Sequence, residues 1–436
     1  MLGFTLLLLA SVRLIHSAAI AAVKSLPECG QHAATPNATC PLNVCCSQYG
    51  FCGTTPEFCG QGCQFACEQP KPHGAESNSQ KRVIGYWEAF NSNQPCGMMP
   101  IESIPASLLT HLNVAFAYIT PDYQMTNMAG VAENIYSDLA NVKSRNPRMK
   151  IIISVGGYGF NDPGPTQTLF SDMVGNAKSR ATFISSILTW LAQKGFDGID
   201  FDWEYPTAQE RGGRQGDGAN FTQFLKEFRE AIHDSGKDYI VTFTAPVSYW
   251  YLRGFDLEQM MTYVDWVNVM SYDLHGTWDQ QDQSSISGQV LAHTNLTEID
   301  SALNLFWRNN VDPAKVALGL GLYGRTYTLS DPSCYHPGCA TTTPGKAGPC
   351  TAQDGILSYR EIMQVISDTG ASPHTDEAAR VEYMVYNDNQ WVSYDSPRTF
   401  KSKIEYANKL GLSGLMLMAR YRIPPLIVRL ERFYTE

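Results

Sequence analysis

The sequence lacks any apolar run of the ~20 residues that a membrane-spanning helix requires; Phe4 to Val12 is far too short. It is also short of positive charge. Against 42 Asp and Glu stand 32 Lys and Arg, a net charge of -10 at pH 7, and the basic residues show no clustering. Neither a nucleic acid nor a membrane surface is therefore an expected partner. Cysteine is scarce over most of the chain. Eight of the 12 fall between Cys29 and Cys67, leaving Cys96, Cys334, Cys339 and Cys350 for the remainder. No His has ligand spacing beside the eight, and the adjacent pair Cys45 and Cys46 suits a zinc ion poorly, so no metal site is expected.

What is present describes one large domain with something small attached. A chain of 436 residues, 44% hydrophobic, can build a large core. Residues 1–22 read as a signal peptide. The apolar stretch Phe4 to Val12 is followed by Ser17, Ala18, Ala19, Ala21 and Ala22, although Arg13 trails the stretch where a basic residue usually precedes it. Asn-x-Thr acceptors at Asn37, Asn220 and Asn295 suit an extracellular protein, one that acts at a cell wall. Residues 23–68 hold eight cysteines in too little chain to enclose an apolar core, so disulfides must supply the stability, with 105 pairings open. Residues 69–81, rich in Pro, Gly and Ser, read as a linker.

From Arg82 to the end the pattern changes. Short apolar strands are expected at 82–88, 111–119, 150–158, 195–205, 240–248, 265–273, 315–322 and 412–418, with amphipathic helices between most of them. Eight strand-then-helix units give an α/β class fold, a (β/α)8 TIM barrel. The interval between strands seven and eight is too long for one helix and is expected to hold a small α+β insertion, about 325–395.

The fourth strand is chemically uncomfortable. In Gly195 to Pro206, Asp200, Asp202 and Glu204 share one face at steps of about 7 Å, while Ile199, Phe201 and Trp203 share the other. A solvated strand face would account for the carboxylates but not for the apolar residues alternating with them. Neighbouring carboxylates push one another's pKa values apart, the condition for acid/base chemistry. In a barrel of this kind chemistry sits at the C-terminal strand ends, which places Glu204 as the exposed member of the three.

Two resemblances sharpen this. Cys45-Cys46-Ser47-Gln48-Tyr49-Gly50-Phe51-Cys52-Gly53 and Phe58-Cys59-Gly60-Gln61-Gly62-Cys63-Gln64 resemble the hevein-like chitin-binding module. That implies disulfides Cys29–Cys46, Cys40–Cys52, Cys45–Cys59 and Cys63–Cys67. It also implies sugar contacts from Ser47, Tyr49, Phe51 and Phe58, the last in place of a usual Tyr, which weakens binding.

Asp197-Gly198-Ile199-Asp200-Phe201-Asp202-Trp203-Glu204, Ser154-Val155-Gly156-Gly157 and Met270-Ser271-Tyr272-Asp273 resemble the signatures of family 18 chitinases, over about residues 82–418 and of the fungal type. The resemblance implies a secreted glycoside hydrolase that cleaves β-1,4 N-acetylglucosamine linkages in chitin, randomly or processively. It implies a substrate-assisted retaining mechanism. Glu204 would be the general acid/base, Asp202 the residue orienting the acetamido group, Asp200 its proton-sharing partner, and Tyr272 a donor to the acetamido oxygen. Tyr86, Phe116, Gly157, Met270, Asp273, Arg325 and Met418 would bind substrate. Tyr158 stands where many members have Trp, and Trp278 and Trp391 are candidates to line the cleft. His275 reads as a satisfied loop histidine and Asp197 as structural. The expected partners are chitin and its oligomers, bound by a monomer that needs no cofactor. Met418 replaces the Trp expected under the reacting sugar and implies a slower enzyme. It keeps open an alternative, an impaired chitin-binding lectin or a chitin-docking subunit like those of killer toxins. Cys96, Cys334, Cys339 and Cys350 could form two disulfides of unknown pairing.

Overall fold

The computed structural model describes residues 26–68, 70, 72, 77–93, 99–281 and 286–418. The signal-peptide reading of residues 1–22, much of the linker, Cys96 and the segment after Met418 lie outside the described residues. Of two compact units, one ends at Glu68 and the other runs on from Gln69.

The small unit pairs Cys45–Cys46 antiparallel with Cys52–Gly53 and follows them with a single helical turn, Pro56–Cys59. Its disulfides are Cys29–Cys46, Cys40–Cys52, Cys45–Cys59 and Cys63–Cys67. Cys29, Cys45 and Cys46 are wholly buried, so cystine sulfur fills the space an apolar core would occupy. Gly53 is required by packing: a Cβ there would lie 2.5 Å from the ring of Phe58.

The large unit is a closed barrel of eight parallel strands. They are β1 (Val83–Glu88), β2 (His111–Ile119), β3 (Lys150–Gly156), β4 (Gly198–Asp202), β5 (Ile240–Pro246), β6 (Trp266–Met270), β7 (Val316–Gly321) and β8 (Gly414–Met418). Each pairs with its sequence neighbours, and β8 closes the ring between β7 and β1 with both edges paired. Helix α1 (Ala177–Lys194) packs beside α2 (Asp217–Asp234), Phe183 stacked on Phe224, and α2 covers β4 from outside. Phe201 points outward and meets Phe221, Phe224 and Phe228 of α2 edge-on. That apolar half of the alternation fixes the register which turns Asp200 and Asp202 inward.

Seven of the eight strands are shorter than the sequence pattern suggests, and for β4 and β3 glycines show why. Gly195 is the left-handed residue that terminates α1, so β4 begins only at Gly198. β3 stops at Gly156, where φ is 109°, and a Cβ on that residue would lie 2.2 Å from the Asp202 carbonyl oxygen.

Between β7 and β8 lies a lobe of six antiparallel strands, from Tyr323–Leu329 to Gln390–Tyr394, with helix α3 (Tyr359–Thr369). Trp391, a sequence candidate for the cleft, is instead fully buried here against Val290, Tyr327, Leu329 and Cys339. Its indole N–H donates to the Tyr335 carbonyl at 2.7 Å. The lobe contains the disulfide Cys334–Cys339, and Cys350 is disulfide-bonded as well. Among the described residues no helix is long and apolar enough to cross a membrane.

Helix α4 (Pro397–Leu410) carries a buried ion pair across its first turns. Lys403 Nζ lies 2.6 Å from Asp395 Oδ2, both side chains are inaccessible to solvent, and Thr399 Oγ1 donates to Asp395 at 2.7 Å. Burial lowers the Lys403 pKa, against the pull of Asp395. Lys403→Met should therefore cost about 3–5 kcal/mol by stranding the carboxylate, whereas Lys403→Met with Asp395→Leu should recover most of it. Urea unfolding of the two variants checks this; equal stabilities would refute it.

Candidate active site

The site grows from the inward face of β4. Because parallel neighbours in register turn their side chains the same way, Ser154 on β3 and Thr242 on β5 stand beside Asp200. Ser154 Oγ donates to Asp200 Oδ2 at 2.7 Å and Thr242 Oγ1 to Oδ1 at 2.6 Å. From farther round the barrel, Tyr86 Oη on β1 donates to Oδ2 at 2.7 Å and Asn268 Nδ2 on β6 to Oδ1 at 2.9 Å. Asp200 is wholly buried, and all four of its acceptor positions are taken. Four hydrogen bonds therefore converge on the side chain expected to share a proton with Asp202.

Asp202 lies one layer nearer the C-terminal end. It is buried and accepts one hydrogen bond, from Thr244 Oγ1 at 2.6 Å. Burial, then the charges of Glu204 and Asp200, push its carboxyl well above the usual range. Desolvation and two neighbouring carboxyls thus favour the protonated form of Asp202.

Glu204 sits beyond the strand, since β4 ends at Asp202. Trp203 turns away and stacks on Phe170, with centroids 5.2 Å apart. The sequence pattern makes Glu204 exposed; it is 7% exposed, beneath the rim. The hydroxyl of Tyr205 hydrogen-bonds the Glu204 side chain, and the Tyr205 ring stacks on Tyr251 at 4.2 Å. Asp197, at the opposite end of the barrel, accepts the Ile151 N–H at 2.8 Å and pairs with Lys143 at 2.6 Å, joining the starts of β3 and β4.

Around these groups lie the other sequence candidates. Tyr86 is buried beneath the site, its hydroxyl committed to Asp200, and is not on the cleft wall. Tyr272 is buried and donates to Met416 Sδ at 3.6 Å. Burial, then Tyr323 and Asp202, keep its hydroxyl protonated. Asp273, in a left-handed conformation, receives Arg325 Nε at 2.8 Å and Nη2 at 2.7 Å. Burial opposes ionisation of Asp273, but Arg325 and His293 outweigh it and hold the carboxyl well below its ordinary range. The guanidinium of Arg325 also lies 4.8 Å from the centroid of the Trp278 ring, which is 44% exposed. Gly157 has φ 87°, and a Cβ there would lie 2.7 Å from the ring of Phe116, itself half-buried. Met270 is buried, and Met418 is half-buried at the end of β8, opposite Tyr86 and Gly321. Tyr158 is 60% exposed. In the small unit Ser47 is buried and accepts the Phe51 N–H at 3.1 Å; Tyr49 is 66% exposed, and Phe51 and Phe58 are half-buried.

Sequence reading missed Thr242, Thr244, Asn268, Tyr205 and Arg211. The two threonines carried a signal, since polar residues alternate with apolar ones in Ile240-Val241-Thr242-Phe243-Thr244-Ala245 on a buried strand.

Comparison with known proteins gives the family. Residues 82–421 match the family described as glycosyl hydrolases family 18. The chain belongs to that family. Residues 28–67 match the chitin recognition protein family. The chain is 29% identical over 410 residues to a protein named secreted chitinase LysM12 from Penicillium expansum, covering 86% of this chain and 26% of that one. It is 32% identical over 331 residues to chitotriosidase-1 of Mus musculus, covering 72% and 67%. Among solved structures, the Ostrinia furnacalis Group IV chitinase in complex with allosamidin superposes with a TM-score of 0.69 at 27% identity, over 78% of this chain and 91% of that one. Against the first fungal relatives the chain spans only 26% to 34% of their length.

In this family 18 barrel the loop after β6 carries a second charged cluster. His275 is buried between Asp279, at 3.0 Å from Nδ1, and Glu298, at 2.7 Å from Nε2. Burial lowers its pKa, but the two carboxylates outweigh burial and push it up to about 9. The folded chain keeps this proton where the unfolded chain releases it near 6.5. The stabilisation is therefore complete below about pH 6.5 and is lost as pH rises through about 9, by up to about 3 kcal/mol. His275→Gln should flatten that fall, which urea unfolding at pH 6.5 and pH 9 measures; an unchanged slope would count against the clamp.

Proposed function

We propose that this protein is a secreted chitinase which hydrolyses β-1,4-linked N-acetylglucosamine polymers with retention of configuration, and that its small unit holds it on chitin. The observation that carries this reading is the graded environment along β4: Asp200 hydrogen-bonded from four strands, Asp202 pushed toward its protonated form, and Glu204 beside them beneath the rim.

The chemistry follows from that gradient. Glu204 gives its proton to the glycosidic oxygen as the bond to the anomeric carbon breaks. The acetamido oxygen of the same sugar attacks that carbon, giving a cyclic oxazolinium ion, so no protein nucleophile is needed. The cation forms beside Asp202. A site that disfavours negative charge on Asp202 in the free protein favours it once positive charge is adjacent, and an interaction that strengthens along the reaction accelerates it. The proton of Asp202 is drawn toward Glu204, now an anion. Tyr272, kept neutral, donates to the acetamido oxygen. Water then attacks the anomeric carbon from the vacated side while the Glu204 carboxylate takes its proton. On the wall, Asp273 with Arg325 offers a fixed polar contact, and Trp278, Phe116 and Tyr158 offer rings to sugar C–H groups.

The small unit supports the binding half of the reading. Tyr49, Phe51 and Phe58 stand on a scaffold made rigid by four disulfides, so little freedom is lost when a sugar stacks on them. The same cystines favour an oxidising, extracellular setting.

Hydrolysis of a labelled N-acetylglucosamine oligomer by wild type and by Glu204→Gln tests the assignment. The variant should lose at least about 100-fold in kcat. Full activity in the variant would remove Glu204 as the acid, and a folded but inert wild type that still binds chitin would leave a lectin. Deletion of residues 29–67 should reduce retention on insoluble chitin and spare cleavage of short oligomers; unchanged retention would contradict the anchoring role.

A further inference from the structure

We propose that Arg211 is a positioning residue that fixes the backbone of Glu204, an assignment that rests on Glu204 being the acid. The segment after β4 is folded tightly back on itself. Asp217, buried, accepts the N–H groups of Arg214 at 2.6 Å and Thr207 at 3.2 Å, and Ser171 Oγ at 2.7 Å. Gly212 has φ 79°, and a Cβ on it would lie 2.3 Å from the Gln167 carbonyl oxygen. On Gly213 a Cβ would fall 2.6 Å from the Ala208 backbone nitrogen. The run Arg211-Gly212-Gly213 thus has two positions where only glycine fits, and together they return Arg211 toward the strand that precedes it.

The guanidinium arrives buried, with each of its three nitrogens donating a hydrogen bond. Nε donates to the Glu204 carbonyl at 3.0 Å, Nη1 to Asp162 Oδ1 at 2.6 Å, and Nη2 to the Tyr158 carbonyl. Its flat face lies 3.9 Å from the centroid of the Tyr158 ring. One cation therefore joins the loop after β3 to the residue that carries the acid, through a planar fork that lysine cannot reproduce. Glu204 lies two residues past the last ladder-bonded residue of β4, so the strand itself does not hold it. The Tyr205 hydroxyl restrains its side chain, and Arg211 restrains its main chain.

A purely structural role and a positioning role differ in one measurable way. If Arg211 aims the acid, its loss harms a substrate that needs protonation of the leaving group and spares one that does not. The test compares an N-acetylglucosamine oligomer with an aryl glycoside of the same sugar whose acidic phenol leaves without proton donation. Arg211→Met should lower kcat/KM on the oligomer by about 30-fold, within the ~100-fold that misplacement of a reacting group costs. It should lower kcat/KM on the aryl glycoside by less than about 3-fold. Arg211→Lys should fall between wild type and Arg211→Met on the oligomer, and it carries the same comparison if circular dichroism finds the Met variant unfolded. Equal losses on both substrates, or none on either, would overturn the proposal. A wild type inert toward both would remove the acid reading itself, and this inference with it.

Discussion

Four donors from four different strands meet on the single carboxylate of Asp200. A wholly buried charge is tolerable only if its hydrogen-bonding capacity is filled. That requirement couples β1, β3, β4, β5 and β6 through one residue. The barrel must be closed and in register for Tyr86, Ser154, Thr242 and Asn268 to arrive together, and once they do the side chain at its centre is fixed in place. The next layer inherits this constraint. Burial, then the charges of Glu204 and Asp200, disfavour ionisation of Asp202 in that layer.

The outer face of β4 contributes as much as the inner one. Phe201 against three phenylalanines of α2, and Trp203 on Phe170, make a slip of one residue costly, since it would bury carboxylates among those rings. Where the strand ends, its alternation stops dictating direction. Glu204 needs restraints of its own, and the loop from Tyr205 to Asp217 supplies them.

That division explains what could be read from the sequence. Strand parity places Asp200 and Asp202 correctly because both lie inside the ladder. It fails for the exposure of Glu204, because the ladder ends at Asp202 and the rim closes over the next turn. Tyr86 was expected to contact substrate from its match to a family position, and nothing local reveals that its hydroxyl binds a carboxylate 114 residues later. Trp391 likewise owes its burial to a lobe core assembled from segments scattered between Val290 and Trp391. The repeating strand and helix pattern, by contrast, is local, and all eight barrel strands were legible from it. Their ends were less so, since glycines at 156 and 195 terminate elements through positive φ angles that no hydrophobic pattern encodes.

The β8 side of the barrel shows how one strand can serve the site by being a poor partner. Met416 points inward and is the hydrogen-bond acceptor for Tyr272, but a thioether sulfur is a weak acceptor. Tyr272 is therefore satisfied enough to be buried and held loosely enough to turn to a better acceptor. A carboxylate in that place would bind the hydroxyl too firmly, and an aliphatic side chain would leave it unpaired. The same strand carries Met418 two residues on, at its C-terminal end and on the same face. A thioether side chain there is adaptable where an indole would be flat and rigid.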